Sequence, residues 1–148
     1  MFYFVHFLGF ALWLGGGVAV MALAIRAGRD SAATRTALFR ILPAAYNVMA
    51  LGAALTLLSG FVLALRLVRI GLGGRLGEPG ITIMMASGVL GAIMVMAIAL
   101  PASRHLATMA SNETVATDLE RVRKRLAISG SVAGVLGLIS LMGVTLVR

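Results

Sequence analysis

The chain has 148 residues, 60% of them hydrophobic and 12% charged, with a mean hydropathy of +1.02. A soluble domain carries about 45–50% apolar and about 25% charged residues, so this composition excludes an ordinary water-soluble domain and a disordered chain. The formal net charge of +8 does not point to nucleic acid, because the basic residues fall between long apolar runs. That distribution is the one membrane topology imposes on Lys and Arg. No cysteine is present, which excludes disulfides, thiolate metal sites and thiol catalysis.

A helix crosses the hydrocarbon core with about 20 apolar residues. Four runs free of Asp, Glu, Lys and Arg meet that length: residues 2–25, 43–65, 81–100 (extending to 103) and 126–147. The first lacks a basic start and far exceeds the roughly 7–15-residue core of a signal peptide, so it reads as a retained span. The link over residues 26–42 carries Arg26, Arg29, Arg35 and Arg40, and Pro43 suits the first turn of the next helix, where its missing N–H costs nothing. The link over 66–80 is glycine-rich. Its Gly71-x-Gly73-Gly74-xx-Gly77 is a loop, not a phosphate cradle, since no strand precedes it and no Lys-Ser/Thr pair follows.

Pro101 removes a donor from the carbonyl of Ala97 and predicts a bend or an end to the third helix. The longest and most charged link follows. Thr117-Asp118-Leu119-Glu120 matches a capping box, Glu120 and Lys124 form an i, i+4 pair, and the fourth helix is expected from about residue 118 to 147. Arg121, Arg123, Lys124 and Arg125 make a basic patch there, suited to anionic lipid headgroups or a partner protein. Nine Lys and Arg lie in the first and third links, against four in the second link and at Arg148. This places the two richer links in the cytoplasm and both termini outside, in a multi-pass protein of the cell's inner membrane.

The predicted fold is all-α: one integral membrane domain, an up-down-up-down four-helix bundle. Helices in lipid associate through close backbone approach, so small residues mark the contacts. Gly52, Thr56 and Gly60 form such a stripe in span two, Gly88 and Ala92 in span three, and Gly130, Gly134 and Gly137 in span four. The stripes serve internal packing, a homo-oligomer, or docking of other membrane subunits.

His6 is the most informative polar residue, because an ionisable side chain one turn inside a span is costly. It reads either as an interfacial histidine bonded to a carbonyl or headgroup, or as a metal or haem ligand. His105 should lie at the opposite membrane face, so the two histidines cannot share one metal within a subunit. Outer-side methionines, Met84, Met85 and Met142, are the candidates for a second ligand beside His6. Trp13 lies mid-span, where its indole either packs on spans two and four or faces a cofactor. Phe2, Tyr3, Phe4, Phe7 and Phe10 crowd the outer end of span one as an interfacial anchor. All five acids lie in links, so acid–base catalysis and proton-coupled transport within the bundle have little to work with.

The segment His6-x-x-Gly9-xxx-Trp13-x-Gly15-Gly16 resembles the first helix of several four-helix bacterial membrane families. These include copper-resistance protein D-like domains and the membrane-type protoporphyrinogen oxidase. The stretch from Leu38 to Tyr46, Pro101 with Arg104 and Leu106, and the basic run from Arg121 to Arg125 resemble a widespread family of four-span proteins. The oxidase likeness implies that His6 lies near haem or porphyrin, although span three lacks that family's lysine. Three expectations stand from residues and resemblance together. The first is a non-catalytic accessory or structural subunit of a membrane complex. The second is a haem- or copper-binding module using His6, and the third a porphyrin-oxidising enzyme.

Overall fold

A computed structural model describes residues 1–27, 32–111 and 116–145, and among them every regular element is a helix. Five α-helices follow in order: α1 (Phe2–Ala27), α2 (Ala32–Arg69), α3 (Pro79–Ile93), α4 (Leu100–Ser111) and α5 (Ala116–Thr145). A 3₁₀ turn, Gly73–Gly77, precedes α3, and a π-helical turn, Met94–Ala99, joins α3 to α4 into one rod. Three stretches are long and apolar enough to cross a membrane: Phe2–Arg26, Thr36–Arg69 and Pro79–Met109. A shorter apolar stretch, Ile128–Gly143, lies in α5. The chain is therefore a membrane-embedded helical protein. Its outer surface agrees, since Val18, Met21, Leu58, Phe61 and Met142 stand exposed, which is costly in water and free in lipid.

The helix ends differ from the expectation at two prolines. Pro43 was expected in the first turn of the second helix. Instead α2 starts at Ala32 and Pro43 lies inside it. The Ala- and Leu-containing segment ahead of it has helix-forming propensity enough to continue. Pro101 does not end the third helix either. The rod runs on to Ser111, with the π-helical turn immediately before the proline. A π turn shifts the bonding register by one residue, and it does so here where the proline ring has no N–H to offer.

The second link has a defined form. The N–H of Leu72 bonds the carbonyl of Leu67 at 2.9 Å and that of Gly71 the carbonyl of Val68 at 3.1 Å. This is a Schellman end to α2, and Gly71, at φ +80°, occupies the left-handed position that favours glycine. Arg75 then pairs with Glu78 at 2.7 Å just ahead of Pro79, the first residue of α3. The Glu78 carboxylate holds the Arg75 guanidinium above its ordinary value, through a hydrogen bond and then through charge.

Glycine sets how closely the helices approach. A methyl group at Gly52 would stand 2.6 Å from the Gly9 carbonyl oxygen and 2.6 Å from the Trp13 nitrogen. One at Gly16 would run into the Met49 side chain. These contacts run antiparallel, so α1 and α2 lie backbone to backbone along their length. In the same way α5 lies along α3. Gly143 meets the Gly80 carbonyl, the Ser140 hydroxyl donates to the Met84 carbonyl at 3.2 Å, and Gly91 lies by Leu136. The backbone of α1 comes close only to those of α2 and α5 among the described elements. Trp13, Tyr46, Met49, Val95 and Leu106 fill the centre.

Candidate functional site

Two places bring polar or aromatic groups into the apolar interior. The first lies between the start of α1 and the far end of α2. His6 is partly buried there, with Nδ1 2.9 Å from the Thr56 carbonyl oxygen and 3.1 Å from Ser59 Oγ. A carbonyl only accepts, so Nδ1 carries the proton. Ser59 agrees, because its own hydroxyl donates to the Leu55 carbonyl and its oxygen is left to accept. In its neutral form the ring is thereby the Nδ1–H tautomer, with the lone pair on Nε2. Gly60 makes room for the imidazole, since a methyl group there would stand 3.1 Å from His6 Cε1. Thr56 turns its hydroxyl onto the Gly52 carbonyl at 2.8 Å.

The predicted partners of His6 are placed separately. His105 is exposed on α4, a helix that α1 does not approach, so the two histidines are apart. Met84 packs near Gly143, while Met85 and Met142 are exposed. Among the described residues no group of three His, Asp or Glu side chains could hold a metal. At the same end of the bundle Arg66 of α2 lies over the Phe2 ring, 4.6 Å from its centroid. Tyr3, Phe4 and Phe7 are exposed around it, which suits an interfacial cluster with a cation at its rim.

The second place is a cavity of about 610 Å³ between α1 and α5, floored by α2. Trp13, Phe39, Tyr46 and Met49 line it, with Leu106 and Leu126 closing one end. Trp13 is 1% exposed, its ring edge against Gly91 of α3 and set perpendicular to Phe10 at 6.3 Å. It is thus both a packing residue and a cavity wall. Tyr46 is also 1% exposed, and among the described buried side chains its hydroxyl alone lacks a hydrogen-bond partner. Gly130 leaves room for that hydroxyl, as a methyl group there would stand 3.4 Å from it.

The remaining glycines divide by contact. Gly137 receives the Leu14 side chain, and Gly88 lies at ordinary contact distance from Ser140. Gly134, expected to pack a helix, faces open space within the cavity wall instead. In the basic patch Lys124 is exposed. The side chains of Arg121, Arg123 and Arg125, and of the capping box at Thr117 to Glu120, lie outside the described residues.

Tyr46 is the fourth residue of the apolar run 43–65, and nothing in the sequence around it signals its isolation. The one available cue is the phenol itself, within that run. Nor does the sequence signal the tie between α2 and α4, where Arg104 donates to Asn47 Oδ1 at 3.2 Å. No protein-family model matches the chain, and neither a curated protein nor a solved structure does.

Proposed function

We propose that this chain is a non-catalytic accessory subunit of a larger complex in the cell's inner membrane. It spans four times, with both termini outside. The observation that carries the reading is the use made of polar groups inside the bundle. His6 ties α1 to α2, and Ser140 ties α5 to α3. Thr56, Ser59 and Ser87 fold back onto carbonyls of their own helices. Bonds between helices, like those of His6 and Ser140, hold a bundle together in lipid. The fourth span rests on α5 following α3 from Gly143 down to Leu136, and the orientation on the excess of Lys and Arg in the first and third links. After gentle detergent extraction from its own membrane, the chain is expected to migrate on native gels in a particle with other subunits. Migration alone, as a single chain in its micelle, overturns the reading.

One observation favours a second reading, a haem- or copper-binding module. A ligating histidine characteristically donates its other ring N–H to a carbonyl or carboxylate, and the His6–Thr56 bond has that form. His6 Nε2 would hold the iron or copper, and that group would supply one-electron transfer. A reduced-minus-oxidised spectrum with an alpha band that is lost in His6→Ala supports this reading. A featureless spectrum from folded protein removes an autonomous site.

A further inference from the structure

The cavity between α1 and α5 is open to the side. Leu14 and Gly137 bring the two helices together at one level. Below it Val18, Met21 and Ile25 of α1 and Val135 and Leu138 of α5 line the cavity and are also exposed. The mouth therefore faces the acyl chains of the bilayer, and an occupant comes from the lipid phase. From Trp13 to Ile25 the groove follows α1 for about 18 Å. Its volume of about 610 Å³ lies within the range of about 300–1,000 Å³ typical of small-molecule sites.

The lining selects the chemistry. Among the described residues none that lines the cavity is charged, so a phosphate or carboxylate headgroup finds no counter-ion among them. Two hydroxyls belong to the lining, that of Ser131, which is exposed, and that of Tyr46, which is buried and unpartnered. Leaving such a group without a bond costs about 1–3 kcal/mol, so a ligand that supplies an acceptor gains from it. Depth narrows the choice further. Met49 packs at Gly16, which puts Tyr46 about one turn beyond, about 8 Å from the middle of α1. The hydrocarbon half-thickness is about 15 Å, so the hydroxyl lies below the level of phospholipid headgroups. An uncharged lipid-soluble molecule that carries its own hydrogen-bond acceptor, such as a ring carbonyl, into the hydrocarbon fits these conditions. The walls Trp13, Phe39 and Tyr46 are aromatic and suit a flat ring.

We propose that this cavity binds an isoprenoid quinone, a ring carbonyl accepting a hydrogen bond from the Tyr46 hydroxyl and the tail leaving between α1 and α5. The inference goes beyond the accessory-subunit reading and does not depend on it. Partner assembly is read from particle size, quinone binding from one fluorophore.

That fluorophore is Trp13, the sole tryptophan of the chain and a wall of the cavity. The full chain is reconstituted in vesicles of phosphatidylethanolamine and phosphatidylglycerol and titrated with decylubiquinone while Trp13 emission is followed. Saturable quenching is expected. Tyr46→Phe, which removes only the unpartnered oxygen, should weaken the apparent affinity about fivefold, the effect of one net hydrogen bond. Gly134→Leu should abolish saturation, because its first carbon meets nothing within 4 Å and the rest of the side chain grows into the cavity. Circular dichroism checks both folds, and Tyr46→Phe alone carries the test if Gly134→Leu does not fold. Quenching that rises linearly with membrane quinone and is the same in the variants overturns the proposal. Saturable quenching indifferent to Tyr46→Phe also overturns it, in favour of an acyl chain filling the groove.

Discussion

The imidazole of His6 and the carbonyl of Thr56 meet at 2.9 Å, across the seam between α1 and α2. The bond joins the first turns of α1 to the second half of α2 and also decides which ring nitrogen holds the proton. Nitrogen-15 spectra of the histidine-labelled protein should show a protonated Nδ1 and a bare Nε2 in the neutral ring. The opposite tautomer would contradict the geometry, because two acceptors would then face an unprotonated nitrogen.

The α1–α2 seam should be intolerant of added volume at Gly52 and the cavity wall tolerant at Gly134. A methyl group at Gly52 has two backbone atoms of α1 2.6 Å away, the Gly9 oxygen and the Trp13 nitrogen, and neither can swing aside as a side chain could. Gly52→Ala should destabilise the bundle by about 1–3 kcal/mol, as overpacking does elsewhere. Gly134→Ala meets nothing within 4 Å and should change stability by about 0.5 kcal/mol or less. Unfolding in mixed micelles with rising denaturing detergent ranks the two. Equal effects would contradict the packing described.

Tyr46→Phe should leave the unliganded protein as stable as before, or slightly more so. The hydroxyl has no partner to lose, and removing an unsatisfied polar atom also removes its desolvation cost. The same micelle titration reads this. A loss above about 1 kcal/mol would mean that the hydroxyl makes a bond within the bundle.

The topology is open to a clean chemical test because the chain has no cysteine of its own. Gly74→Cys lies in the turn before α3, where a side chain meets nothing within 4 Å, and Thr108→Cys lies on the exposed face of α4. A membrane-impermeant maleimide added to intact cells should label the first and spare the second. The reverse pattern would invert the orientation drawn from the Lys and Arg distribution.

The half-buried ion pair between Arg75 and Glu78 should matter little by itself. Its side chains are 41% and 28% accessible, and pairs of this kind contribute about 0–1 kcal/mol. Glu78→Gln should shift thermal unfolding by no more than a few degrees. A larger loss would assign the carboxylate a role at the start of α3 beyond the pair.

Much of this architecture follows from one-dimensional chemistry. Apolar runs of membrane-spanning length, with charge confined between them, allow nothing but helices, since lipid offers the backbone no other partner. Glycine spacing pointed to Gly52 and Gly60 as contacts for the same reason: closeness in lipid needs small residues. What sequence could not decide is the partner across space. Nothing local distinguishes Gly134, which faces a cavity, from Gly137, which receives Leu14. Pro43 reads as a helix start and Pro101 as a bend or an end, yet α2 runs through Pro43 and the third rod continues past Pro101 after a π-helical turn. The histidine tautomer depends on a carbonyl fifty residues away. The isolation of the Tyr46 hydroxyl depends on helices that close around it and, among the described residues, give it no hydrogen-bond partner. A span's composition fixes that it enters the membrane, through a free energy of transfer summed over its own residues. Which of its faces meets a helix, a lipid or a ligand is set only when the other helices have packed.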